Sequence, residues 1–232
     1  MEKKKPKKDP ELAQLEERIH ELNAHGKILT AIKACYKYLD MNQANPYIYR
    51  LTGKLMFKIG NIQGAIKNLT RATELKPDFP DAYYNLGVCY YHQIQFNKAS
   101  ECLKKCIELD PDFNMAHYWL GLASYHKGDS HQAIASFKKL LKKHHTSIVA
   151  NYHLGTIYNS IEGYEKAIPH FEKVLELNKE DEVVLYHLGV AYFKTGRFSK
   201  SVKMFRKALD LNPEDKRSRK MLESAFNVPG FG

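Results

Sequence analysis

The chain has 232 residues, 44% hydrophobic and 27% charged, which are values of a folded globular protein and exclude a disordered or membrane-embedded chain. Its longest apolar runs fall far short of the roughly 20 residues that a spanning helix needs. Lysine and arginine number 36 against 26 aspartates and glutamates, a net +10 that asks for an anionic partner.

In chain order, residues 1–11 carry Lys3, Lys4, Lys5, Lys7 and Lys8 and read as a basic, disordered tail. No apolar stretch follows them, so no signal peptide is expected, and a cytoplasmic location is the default, with peripheral contact at a membrane surface as its variant. Cys35, Cys89, Cys102 and Cys106 have unpatterned spacings, which suggests free thiols rather than a disulfide framework.

From residue 12 the chain repeats itself. Gly53, Gly87, Gly121, Gly155 and Gly189 recur every 34 residues, and Ala31, Ala65, Ala99, Ala133, Ala167 and Ser201 keep the same interval. Placing the glycine at position 8 gives six units: 12–45, 46–79, 80–113, 114–147, 148–181 and 182–215. Positions 4, 7, 8 and 11, as in Tyr83, Leu86, Gly87 and Tyr90, form the stripe of one amphipathic helix. A turn follows at position 15, marked by Gly26, Gly60, Gly128 and Gly196, with Gly163 one place later in the fifth unit. Positions 20, 24 and 27, as in Ala133, Phe137 and Leu140, form a second helical stripe, which Pro77, Pro111 and Pro213 close in three units. Residues 216–227 predict a last helix with Met221, Leu222 and Phe226 on one side, and 228–232 read as a frayed tail.

These residues resemble the tetratricopeptide repeat, W-x2-L-G-x2-Y, then A-x3-F, then P. Tyr83, Leu86, Gly87, Tyr90, Ala99, Leu103 and Pro111 carry the pattern in the third unit, and residues 46–215 keep register without an insertion. The first unit has Arg18 and Ile19 where Leu and Gly belong, and is either a degenerate repeat or a cap. The resemblance implies an all-α, right-handed α-solenoid of antiparallel helix pairs with a C-terminal capping helix. It also implies that the first helix of each pair lines a concave face.

On that first helix, positions 2, 5, 9, 12 and 13 lie opposite the packed stripe. Position 5 offers Arg50, Tyr84, Tyr118, Tyr152 and Tyr186, and position 12 offers Phe57, Tyr91, Tyr125 and Phe193. Position 9 adds Lys54, Val88 and Leu122, and position 6 adds Asn85, Trp119, His153 and His187. The expected groove is aromatic and apolar along most of its length and cationic at Arg50, Lys54 and Lys58, which suits a protein or peptide with apolar and acidic residues. The terminal-carboxylate clamp of chaperone-binding repeats is incomplete. Arg50 and Asn85 match it, but Lys54, Met115 and Trp119 stand where it needs Asn and two cations.

Cys102 and Cys106 share a helix face, but two ligands make no metal site, and no phosphate-loop, zinc-protease or serine-hydrolase motif is present. No metal or cofactor is expected, and the reading is a non-enzymatic interaction scaffold. Two alternatives accompany it. The first is a basic binder of nucleic acid or an anionic membrane surface through Lys138, Lys139, Lys142, Lys143, Lys216, Arg217, Arg219 and Lys220. The second is self-association through Leu12, Leu15, Ile19 and Leu22 within residues 12–22.

Overall fold

The computed structural model describes residues 9–143 and 146–228, the side chain of Lys143 excepted; His144, His145, residues 1–8 of the tail predicted at 1–11 and 229–232 of that predicted at 228–232 lie outside the described residues, while Pro10 and Glu11 of the first tail are already helical. Thirteen α-helices occur among the described residues, all but the last in pairs that follow the 34-residue register. They are α1 (Pro10–Ala24) and α2 (Ile28–Met41), α3 (Pro46–Lys58) and α4 (Ile62–Leu75), α5 (Pro80–His92) and α6 (Phe96–Leu109), and α7 (Asn114–His126) and α8 (Ser130–Lys143). They continue with α9 (Ile148–Ser160) and α10 (Tyr164–Leu177), α11 (Glu182–Lys194) and α12 (Phe198–Leu211), and α13 (Lys216–Phe226). The chain divides into two compact units, one ending at Ala123 and one starting at Ser124.

Local chemistry starts the helices. Asn45 accepts the amides of Tyr47 and Ile48 ahead of Pro46, whose missing N–H costs nothing at a helix start. Asp181 and Asp215 cap α11 and α13 in the same way.

The turn inside each pair is a Schellman motif. In the second pair the amide of Asn61 donates to the carbonyl of Met56 and that of Gly60 to Phe57, and the same two bonds recur at 26–27, 94–95, 128–129, 162–163 and 196–197. This geometry needs a left-handed residue at position 15. Glycine supplies it at Gly26, Gly60, Gly128 and Gly196, whereas Ile94 (φ 61°) and Glu162 (φ 59°) adopt it without glycine's freedom. Gly163 is therefore not the turn's left-handed residue: at φ −80° it is the N-cap of α10.

Within each unit the small residues let backbones meet. A Cβ placed on Gly87 would lie 2.7 Å from Leu103 Cγ, and one on Gly155 would lie 2.6 Å from the ring of Phe171. Leu69, Leu103, Phe171 and Phe205 are fully buried over these glycines. Each contributes about 1.5–3 kcal/mol of burial.

The first pair uses its own apolar face. Ile19 and Leu22 are buried, and Leu12 and Leu15 pack on the same cluster with Tyr38, Ile48 and Leu55. Those four residues were one candidate for docking a second copy; here they pack against their own unit, Leu12 and Leu15 only partly buried. At the other end α13 buries Ser218 and Ala225, while Phe226 stays 46% exposed with the Arg206 guanidinium 5.6 Å from its ring.

Candidate functional site in the first unit

The first unit contains a cavity of ≈ 450 Å³ between the first helices of neighbouring repeats. On one side α3 contributes Arg50, Lys54, Phe57 and Lys58, and facing them α5 contributes Tyr84, Asn85 and Val88, with Trp119 of α7 beyond. Seven of the groove residues expected from the repeat register thus come together here. Lys54 and Lys58 are exposed, whereas Val88 is only 8% exposed and forms part of the floor.

Two donors beside this cavity, Arg50 Nε and Trp119 Nε1, are buried from solvent. The Arg50 guanidinium lies 5.4 Å from the ring centre of Phe79, and its Nε is buried without a hydrogen-bond partner. The Trp119 indole is packed edge-on by Tyr91 at 5.0 Å and Tyr118 at 5.5 Å, with His92 at 5.6 Å, and its Nε1 is buried beside the Tyr84 hydroxyl. Asn85 already donates its amide to the Asp81 carbonyl at 2.7 Å, leaving its side-chain oxygen toward other donors.

The register reading missed Leu69, Cys89, His92 and Phe113, which also line the cavity. His92 stands at position 13, one of the groove positions, and could have been found there. Phe113 closes its repeat from the connector before α7 and packs on Tyr84 at 4.9 Å. Its signal was the matching Phe79 one repeat earlier, which packs against Tyr47.

Other expected residues do not join the cavity. Tyr91 and Tyr118 support Trp119, and Leu122 is buried at 8% exposure. The remaining six belong to the second unit. His153 stacks on Phe137 at 4.8 Å and His187 on Phe171 at 5.8 Å, both rings nearly parallel. Tyr152 and Tyr186 meet these imidazoles edge-on, Tyr125 packs on His126, and Phe193 packs on Phe198. Burial drives the His153 pKa down to about 4, helped by the nearby His126, and lowers that of His187, to which Arg217 adds. Position 6 is thus a cavity wall at Asn85 and Trp119 but a packing position at His153 and His187.

The cysteines are free, and burial pushes the thiols of Cys89, Cys102 and Cys106 up to about 12, so they are poor nucleophiles at neutral pH. Among the described residues no group of three or more His, Cys, Asp or Glu could hold a metal ion, and no helix is long and apolar enough to cross a membrane.

Comparison with known proteins places this architecture. Residues 27–225 match the family model described as the tetratricopeptide repeat protein 21 C-terminal ARM domain. The chain belongs to this tetratricopeptide-repeat family. No curated protein sequence matches it. Among solved structures it is similar to YrrB, a TPR protein with an unusual peptide-binding site, at 19% identity and a TM-score of 0.77, covering 83% of this chain and 99% of that one. It is also similar to MamA, at 28% identity and a TM-score of 0.69, covering 73% of this chain and 92% of that one. A third is a tetratricopeptide repeat protein from Parabacteroides merdae, at 15% identity and a TM-score of 0.69, covering 93% of this chain and 99% of that one. All three share the repeat fold, so the repeats 27–225 are to be read as tetratricopeptide units with the cavity on their first-helix side.

Proposed function

We propose that this tetratricopeptide-repeat chain is a non-enzymatic interaction scaffold that holds a segment of a partner protein on the first-helix side of its first unit. The observation that carries the reading is the cavity that joins three cations of α3 to the aromatic and apolar side chains of α5 and α7. Aromatic pockets supply buried area, and a cationic wall orients the partner. YrrB, with its peptide-binding site, supports such use of the fold by analogy.

Some cations at the C-terminal end and on the second unit are engaged within the chain. Arg217 pairs with Asp215 and lies 4.9 Å from the ring of Tyr186, Arg219 donates to the Pro213 carbonyl, and Arg197 and Lys173 pair with Glu165 and Glu176.

The test is affinity capture from native extract at moderate salt, comparing the wild-type chain with an Arg50→Glu, Lys54→Glu variant of equal helicity. The expected result is a set of captured polypeptides lost in the variant. Capture of mainly nucleic acid, or the same polypeptides on both, would overturn the scaffold reading at this site.

A further inference from the structure

The turns of the first unit form a surface apart from the cavity. Its three helix pairs pack side by side, α2 on α3, α4 on α5 and α3 on α5, so the turns at 26–27, 60–61 and 94–95 fall along one edge. Packed helices lie about 8–10 Å apart, which spreads the three turns over roughly 20 Å. Each turn presents an aliphatic side chain to solvent: Leu29 is 65% exposed, Ile59 41% and Ile94 75%. Leu29 and Ile94 are the most exposed large hydrophobic residues among the described residues. Ile94 also holds the left-handed position that Gly26 and Gly60 fill in the other two turns of this unit. A strained β-branched residue with most of its surface in water gains little from folding, and such outliers collect at functional positions.

Cations accompany these aliphatic tips. Lys27, Lys58 and Lys98 are exposed at the turns or in the first turn of the helix that follows, Lys58 also bordering the cavity. Over residues 21–31, 55–65 and 89–99, which run from the last turn of each first helix to the first turn of each second, Glu21 is the one carboxylate. It pairs with Arg18 at 3.4 Å. The edge is therefore cationic with apolar points. Its exposed side chains include no Phe, Tyr, Trp or Arg, the residues that protein interfaces favour, and lysine is one that they avoid. A nucleic acid would satisfy the lysines but finds no exposed aromatic ring on which to stack a base. A lipid layer with anionic headgroups takes both features, because acyl chains accept separate apolar points without matching their shape and the headgroups attract lysine.

We propose that the turn edge of the first unit docks on an anionic lipid surface. Leu29, Ile59 and Ile94 enter the boundary between headgroups and acyl chains, and Lys27, Lys58 and Lys98 lie among the headgroups. Neither signal suffices alone: a few aliphatic side chains give weak, reversible attachment, and exposed lysines are screened by salt, so docking needs the two together. The edge is distinct from the cavity, so this proposal goes beyond the scaffold reading and does not depend on it.

The experiment is co-sedimentation of the full chain, at physiological salt, with vesicles of phosphatidylcholine alone and with vesicles carrying about one-third phosphatidylserine. The chain should partition onto the acidic vesicles at least about tenfold more strongly than onto the neutral ones. Leu29→Ser with Ile94→Gly leaves every charge in place, the N-terminal lysines included, and relieves the backbone strain at position 94. That double variant, shown by circular dichroism to keep its helicity, should lose about tenfold or more of its partition onto acidic vesicles. Lys27→Glu with Lys98→Glu should lose at least as much. Equal partition onto the two kinds of vesicle, or acidic-vesicle binding that Leu29→Ser with Ile94→Gly leaves intact, would overturn the proposal, the second result assigning the binding to lysines elsewhere. So would preference for an oligothymidylate in competition with the vesicles, or a vesicle-free self-association that the same double variant abolishes. Capture of polypeptides through Arg50 and Lys54 should be the same in this variant as in the wild-type chain, which keeps failure here distinct from failure of the scaffold reading.

Discussion

Position 24 decides whether a repeat keeps a cavity. In the first unit Leu69 occupies it and lines the open space, while in the second Phe137 and Phe171 occupy it and stack on His153 and His187. A leucine covers its glycine and stops; a phenylalanine reaches on to the next repeat's position 6. The backbone tolerates either, because Leu69 lies over Gly53 as Phe171 lies over Gly155 and Phe205 over Gly189. Leu69→Phe should therefore fill the cavity and weaken, by at least about tenfold, the equivalent of 1.4 kcal/mol, the capture of polypeptides that depends on Arg50 and Lys54. Its melting temperature should fall by no more than a few degrees, since the ring can extend from the core into the adjoining cavity. Unchanged capture by the folded variant would place the site elsewhere. This dependence also explains why the site was only partly legible in the sequence. The register identified Arg50, Lys54, Tyr84, Asn85 and Trp119 as neighbours on one side of the first helices, but whether position 6 is open follows from a side chain in the preceding repeat.

At the scale of the helix pair the sequence was read more completely, because the two glycine and alanine registers fix which faces meet and the helix limits follow from them. The turns show where that legibility ended. Gly163 drew attention as a displaced turn glycine, yet the left-handed residue is Glu162, since the two Schellman hydrogen bonds impose the geometry whatever residue occupies position 15. Ile94 makes the point more strongly: it is β-branched, left-handed and 75% exposed, so little burial offsets its backbone strain. A left-handed L-residue costs about 1–2 kcal/mol, and glycine returns part of that gain through its freer unfolded chain. Ile94→Gly and Glu162→Gly should each stabilise by about 0.5–1 kcal/mol, read as a higher urea midpoint at unchanged slope. A lower midpoint for Ile94→Gly would mean that its side chain makes a stabilising contact that outweighs the strain.

At the scale of the whole molecule, repeat arrays gain stability largely from each helix's interfaces with its neighbours, so a local loss need not become a global one at once. His153, His170 and His187 provide such a local weakness in the second unit. Burial lowers the pKa of each, with Lys138 adding at His170 and Arg217 adding at His187 while Asp181 opposes it there. His170 donates its Nδ1–H to Asn151 Oδ1 at 2.9 Å, and its ring is stacked on Tyr158. Because the folded pKa values lie below the unfolded value near 6.5, the unfolded chain binds more protons as pH falls. The stability these residues contribute is present above about pH 6.5 and is lost toward the folded value, about 4 for His153. At pH 5 His153 alone should cost about 1 kcal/mol, allowing for its partial contact with solvent. Lowering the pH from 7 to 5 should thus speed amide exchange in α9 and α11, measured at each pH after correction for the intrinsic rate. His153→Gln with His187→Gln should flatten that dependence, since glutamine fills similar space without a titrating ring. If the double variant keeps the full acid response, the loss arises elsewhere, from the carboxylates that pair with the surface cations rather than from imidazoles stacked on phenylalanine.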